Sequence, residues 1–155
     1  HTNNAATAIP RLRDMHIEPF LIASTVNVVI AQRLVRKIHQ ACRVSEEVPV
    51  AEVVKSVGAD ILEKIFGKND TSTVRLYHGK GCDACHGTGY QGRIGVFEVM
   101  VFDDALRDAV AREEHAQVIE TLARRGGMQT MLEDGVSKMK QGLTTLEEVI
   151  RISKE

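Results

Sequence analysis

Residues 81 to 93 read GCDACHGTGYQGR, with Cys82 and Cys85 in a C-x-x-C, His86 directly behind them and glycines at 81, 87, 89 and 92. Two thiols at this spacing converge on one side of a tight turn, and turn N–H groups soften their charge, so the stretch supplies half of a tetrahedral metal site. The apolar or alternating segments TVRLYHGKG (73–81) and RIGVFEVMVFD (93–103) flank it, which predicts a strand, a metal-type turn and a second strand.

The other half of such a site needs a second pair of ligands. The third cysteine, Cys42, has a histidine three positions before it in His39-Gln40-Ala41-Cys42. H-x-x-C plus C-x-x-C makes four ligands of the kind Zn²⁺ prefers. Residues 43 to 81 lie between the pairs, long for one finger loop but suited to an insert whose base the metal would staple. The rival reading leaves His39 and Cys42 as unrelated surface and core residues, and makes Cys82 and Cys85 a redox pair or free thiols. His78 and His86 rank below His39 as ligands, because His86 adjoins Cys85 in the chain and has poorer geometry for the same ion.

C-x-x-C-H also marks haem attachment, but that calls for a helical pocket with an axial partner, and this motif sits in a glycine-rich turn. A phosphate cradle opens a helix, whereas GTGYQGR (87–93) leads into a strand. CDACHGTG (82–89) resembles one unit of the DnaJ-type chaperone zinc domain, which normally carries four such units.

The 155 residues carry a net charge of -1, with 43% hydrophobic and 26% charged side chains, so neither a basic excess for nucleic acid nor an acidic disordered tail is present. Three cysteines are too few and too odd for a disulfide framework, which points to a reducing compartment. The apolar run 20–31, FLIASTVNVVIA, falls short of the roughly 20 residues that span a bilayer. With no initiating Met and no signal-like start, the chain is expected to begin inside a longer parent.

Apolar spacing predicts a helix from Asn3 to Met15, entered through Thr2 or Asn3 and kinked or restarted at Pro10. It predicts a second helix from Phe20 to Val35, turning into a short strand at Leu34 to Ile38. Residues 44–72 read as two short helices around Gly58. From Asp103 onward the pattern predicts a bundle of three or four short helices, several ending at glycine. Arg124 and Arg125, before Gly126-Gly127, read as cations at a helix C-terminus. The five methionines read as core positions, and the acidic pairs in SEEV and LEE as helix starts.

Four blocks, HTNNAATAIPRLRDMHIEPFLIAS, AQRLVRKIHQAC, GCDACHGTGYQGRIGVFEVM and GMQTMLEDGVSKMKQGLTTLEEVI, resemble in order and spacing the carboxy-terminal part of type II secretion and type IV pilus assembly ATPases. In that family a RecA-like domain with a P-loop, a Walker B segment and a histidine box is followed by a small zinc domain and a helical tail. The resemblance implies an α/β fold, mainly α with a small sheet: a remnant of the RecA-like ATPase domain at 1–36, a zinc-binding subdomain with a helical insert at 37–102, and a C-terminal helical domain at 103–155. It matches His1 to the last histidine of the box, a catalytic remnant, and puts Gln32 and Arg33 in the family's AQRL block. Those two either cap and solvate the end of an apolar helix or approach nucleotide in the parent.

By the same resemblance His39, Cys42, Cys82 and Cys85 occupy the four zinc-ligand positions, His39 standing where the family usually has cysteine. Neutral imidazole is one of the few replacements that keep a zinc site while removing one negative charge. Asn4 stands where the family commonly has Asp, and His16 where it commonly has Gly at a helix end, a place where His tolerates a left-handed backbone. The implied parent is a hexameric cytoplasmic motor, peripheral to the inner membrane, that drives pilin or pseudopilin assembly through an inner-membrane platform protein. It binds ATP and Mg²⁺, carries structural Zn²⁺, contacts no nucleic acid and does not insert into the membrane. No G-x-x-x-x-G-K-[ST] and no acidic Walker B strand occur in these 155 residues, so the chain by itself is expected to be inactive as an ATPase. The alternatives are a stand-alone zinc-binding adaptor or chaperone-like module, and a thiol redox protein using Cys82 and Cys85.

Overall fold

The computed structural model describes Thr2, residues 4–57, Glu63 and residues 72–154. It is mixed α/β, and its described residues form seven α-helices and four strands, paired as β1 (Val28–Ile38) with β4 (Tyr90–Val101) and β2 (Arg43–Pro49) with β3 (Thr73–Gly79). The chain divides into two compact units, one made of 1–32 and 97–131, the other of 33–96 and 132–155.

In the first unit, α1 spans Ala8–Asp14 and α2 spans Pro19–Thr25. The residue that opens α1 is Thr7, not the expected Thr2 or Asn3. The Asn4 carboxamide accepts the Thr7 N–H at 2.9 Å while the Thr7 hydroxyl donates to the Asn4 carbonyl at 3.0 Å, and this local turn holds the chain out of helix until Ala8. Pro10 lies in the first turn of α1, where a missing N–H costs nothing, so the helix is neither kinked nor restarted there. His16 closes it with φ 61°, as the left-handed expectation required.

The long helix expected from Phe20 to Val35 is not formed. It stops at Thr25, and strand β1 runs Val28–Ile38. The sequence V-V-I at 28–30 explains the switch, because consecutive β-branched side chains crowd a helical turn but fit a pleated one. Gln32 and Arg33 are therefore strand residues, Gln32 exposed and Arg33 half-buried, not residues at a helix end.

Within this unit the β4 segment 97–101 alternates, Glu98 and Met100 inward, Phe97, Val99 and Val101 outward. The Glu98 carboxylate, 3% exposed, accepts the Ala5 N–H at 2.7 Å and the Met131 N–H at 3.2 Å. Helix α4 (Asp104–Ala111) is capped by the Asp103 carboxylate, which accepts the Leu106 N–H at 2.8 Å. The guanidinium of Arg107 reaches back to the carbonyls of Ala23 and Val26 and to the Asn27 side chain, closing the end of α2. Helix α5 (Ala116–Arg125) ends with Arg124 and Arg125 in its last turn, where cations oppose the helix dipole.

The second unit holds the antiparallel pair β2 (Arg43–Pro49) and β3 (Thr73–Gly79), in register from Arg43 opposite Gly79 to Pro49 opposite Thr73. Residues 44–49, the start of the stretch read as two short helices, are thus strand, because partner β3 supplies the hydrogen bonds that a seven-residue segment cannot make alone. Helix α3 (Val50–Val57) follows as expected, and the second short helix of that reading lies outside the described residues. Val53, Val74, Val136, Met139, Leu146 and Val149 form the core against which α6 (Met131–Lys140) and α7 (Leu146–Lys154) pack. A Cβ on Gly135 would sit 3.3 Å from Ile152, which is why α6 tolerates a helix-weakening residue at that point.

Glu148 of α7, 2% exposed, is the polar hub of this unit. It accepts the Arg36 backbone N–H at 2.7 Å, the Arg36 guanidinium at 3.0 Å and the Arg151 guanidinium at 3.0 Å. Burial alone would raise its carboxyl, but the Arg151 and Arg36 partners outweigh this and hold it below the usual glutamate range. Tyr90 extends the network, its hydroxyl 3.1 Å from that of Thr145 and its ring 4.1 Å beneath the Arg36 guanidinium.

Candidate metal centre

The knuckle folds as the glycines allow. A short 3₁₀ turn, Asp83–Cys85, is followed by His86 at φ 53°, Gly87 at φ 76° and Gly89 at φ 74°. The chain thereby curls back so that Gly89 crosses Gly79 at backbone distance: a Cβ on Gly89 would lie 2.4 Å from the Gly79 carbonyl oxygen. Two further backbone bonds dock the other ligand pair onto this loop. The His39 N–H donates to the Gly89 carbonyl at 2.9 Å, and the Lys80 N–H donates to the Cys42 carbonyl at 3.0 Å. A second 3₁₀ turn, Gln40–Cys42, brings the Cys42 thiol round beside His39.

Four side chains meet as a result. His39 Nδ1 lies 3.3 Å from Cys82 Sγ and 3.5 Å from Cys42 Sγ, while Cys85 Sγ lies 3.8 Å from Cys82 Sγ and 4.0 Å from Cys42 Sγ. Tetrahedral zinc with ordinary bond lengths requires S···S edges of about 3.8 Å and S···N edges of about 3.6 Å. These four of the six edges lie within about 0.3 Å of those values, and the ligand atoms all lie within 4.8 Å of one another. Nδ1, rather than Nε2, is the imidazole atom that faces the sulfurs. His39 and Cys85 are buried, with Cys42 and Cys82 half-buried.

The loop is also wired for thiolate. Cys85 Sγ accepts the N–H groups of Cys82 at 3.2 Å and of Gly89 at 3.3 Å, and Cys82 Sγ accepts the N–H of Cys85. Burial works against ionisation of Cys85, yet these donors and the neighbouring Cys82 and Cys42 thiols bring it down to about 6. Cys42 moves the opposite way: burial and the two other thiols raise it, although the Gly81 N–H lowers it in part. One thiolate is thus stabilised by the fold in advance, and a cation at the centre would offset the burial and thiol repulsion that raise Cys42.

Among the described residues these four form the one cluster of metal-ligating groups with this geometry. His78 is turned away to Glu46, 3.6 Å distant. His86 serves as the left-handed cap of the knuckle turn. His1 lies outside the described residues. The residue spacing pointed to all four members of this cluster but not to the Gly79–Gly89 crossing, whose only trace is a glycine at each position. Nor did the spacing single out Glu98 and Glu148, the buried carboxylates within the first and second units. Glu98 was detectable as an acid at an inward position of an alternating strand, between Val96 and Met100.

A protein of this kind combines a compact Cys₃His knuckle with short strands and surrounding helices. The model of the type II/IV secretion system protein family matches residues 1–151, and the chain belongs to that family. It is 43% identical over 150 residues to the type IV pilus assembly ATPase PilB of Thermus thermophilus, covering 97% of this chain and 16% of that one. It is 39% identical over all 155 residues to the type II secretion system ATPase E of Vibrio cholerae, and equally to the type II secretion system protein E of Pseudomonas aeruginosa, covering 29% of each. The chain therefore spans less than a third of the length of these relatives. No described helix is long and apolar enough to cross a membrane.

Proposed function

We propose that this chain is the zinc-binding and helical transmission part of a motor ATPase that powers type IV pilus assembly or type II secretion. The observation that carries the reading is the near-tetrahedral His39, Cys42, Cys82, Cys85 cluster in a chain that is similar along its length to ATPases of those two systems. In this reading 1–36 continues a RecA-like ATPase domain, 37–102 is the zinc-binding subdomain and 103–155 the helical tail. The parent is a cytoplasmic hexamer that works against an inner-membrane platform protein. ATP and Mg²⁺ are bound and hydrolysed by parts of the parent outside these residues, and His1, Gln32 and Arg33 approach the nucleotide only in the assembled motor.

The metal is structural. Four protein ligands leave no open position for water, and none of the four is a carboxylate able to act as a base. What Zn²⁺ supplies is a fixed crossing of two chain segments: the Gln40–Cys42 turn and the Asp83–Cys85 turn are joined, so force applied to one is delivered to the other without local unfolding. The chain's own contribution is the set of N–H donors that hold Cys85 as thiolate and the Gly79–Gly89 contact that keeps the two turns at ligand distance.

Metal analysis of the purified chain tests this reading. About one equivalent of zinc is expected at neutral pH, and removal by a chelator should lower the melting temperature. Less than about half an equivalent in protein with three free thiols would sink it. A reversible disulfide with no metal would favour the thiol redox alternative. The motor assignment is tested separately, by the presence of a P-loop and Walker B segment in the parent and by its ATP hydrolysis.

A further inference from the structure

The cluster is asymmetric in a way that a purely structural clasp does not require. With histidine as the fourth ligand it holds three thiols, and these differ in protection. Cys85 is buried and its sulfur accepts two backbone N–H bonds, from Cys82 and Gly89. Cys82 is half-buried, its sulfur accepts the backbone N–H of Cys85, and it lies closer to Cys85 (3.8 Å) than Cys42 does (4.0 Å). Only two residues separate Cys82 from Cys85, whereas Cys42 would close a loop across most of the subdomain.

From this we infer that the centre is a peroxide-sensitive switch, in which Cys82 and Cys85 form a disulfide and the zinc is expelled; the inference rests on the zinc reading above. The more accessible Cys82 thiolate attacks one oxygen of hydrogen peroxide, breaking the O–O bond and giving a sulfenic acid and hydroxide. The Cys85 thiolate then attacks the Cys82 sulfur, forming the S–S bond and releasing a second hydroxide. Two thiolate sulfurs are each oxidised by one electron, the two peroxide oxygens are each reduced by one, and the two hydroxides pass to solvent, where buffer acid protonates them. For the bond to form, the sulfurs close from 3.8 Å to about 2.05 Å, a movement one cysteine rotamer can supply. His39 and Cys42 are then the only ligands left, two of the four that zinc needs, and the ion leaves.

The consequence is mechanical. Loss of the ion would remove the ligand crossing between the Gln40–Cys42 turn and the knuckle, leaving backbone bonds such as those at Gly89 and Cys42 and the β2–β3 pairing to hold them. Oxidation would thus slacken the clasp while the rest of the fold stays intact, and a thiol reductant with zinc would restore it.

The experiment uses the chain as purified, with its zinc content measured first. Hydrogen peroxide is added in the presence of a chromogenic zinc chelator too weak to strip the reduced protein, free thiols are then blocked, and the cysteine-containing peptides are identified by mass. The expected result is release of about one zinc per two-electron equivalent of peroxide consumed, a Cys82–Cys85 disulfide with Cys42 blocked as a free thiol, and recovery of zinc binding after reduction. Zinc retained after complete reaction with peroxide, a disulfide to Cys42, or irreversible sulfinic acid without a disulfide would each overturn the switch and leave the zinc reading standing. Absence of zinc at the outset would overturn both.

Discussion

Glu148→Gln isolates the contribution of the buried carboxylate, because it removes the charge and leaves the shape. Wild-type Glu148 accepts one backbone N–H, from Arg36, and charged donors from two arginines, with Arg36 Nη2 also 3.0 Å from Oε1. The Arg36 and Arg151 side chains are 56% and 45% exposed, so each ion pair is worth the surface value of about 0.2–1 kcal/mol rather than the buried one. The N–H to carboxylate bond adds about 1.5 kcal/mol, since its acceptor is charged and shielded from water. A glutamine keeps one acceptor and turns an NH₂ toward donors at the other position, giving a net loss of about 2 kcal/mol. For a chain of this length that corresponds to a fall of roughly 4–8 °C in melting temperature.

The pH dependence has a definite sign. The folded-state carboxyl is held below its unfolded value of about 4.3, so the wild-type advantage over Glu148→Gln is fully present above that pH. It is lost as pH falls through the lower, folded value. Urea unfolding of both proteins in metal-free form, from pH 7 to well below the unfolded carboxyl value, reads the difference directly. A variant within about 0.5 kcal/mol of wild type at pH 7 would refute the assignment of Glu148 as the hub of the second unit.

Further outcomes follow from the same contacts. Glu98→Ala leaves the N–H groups of Ala5 and Met131 unpaired in a buried site and should cost about 2–4 kcal/mol in denaturant unfolding, with Glu98→Gln intermediate because one acceptor survives. Met139→Ala opens a cavity beside Val136, Leu146 and Val149 and should cost about 2–5 kcal/mol by the same assay. Gly89→Ala would set a Cβ 2.4 Å from the Gly79 carbonyl at a φ of 74°, disturbing the N–H that supports Cys85; competition with a zinc chelator should show affinity lowered by about 10–100-fold. His39→Ala should leave three thiols and a weaker site by the same competition, while His86→Ala, outside the cluster, should leave zinc affinity unchanged.

The four members of the His/Cys cluster were legible in the sequence because metal binding has its own chemistry: two residue pairs at turn spacing, with donors of the right softness, are recognisable wherever they occur in the chain. The helices from Asp103 onward were legible for a related reason, since their caps and apolar spacing are local properties. Sequence alone misassigned residues 28–33 and 44–49, while the strand expected at Leu34–Ile38 is the end of β1. Apolar β-branched runs fit either period when read singly, and the choice between helix and strand is made by hydrogen-bond partners more than 20 residues distant in the chain. Only the tertiary structure decided which imidazole nitrogen faces the thiols, that Gly79 and Gly89 must both lack a side chain, and that Glu98 and Glu148 are buried anchors rather than solvated charges. Each of these depends on a distance between segments remote in sequence, which the order of residues does not contain until the chain has closed on itself.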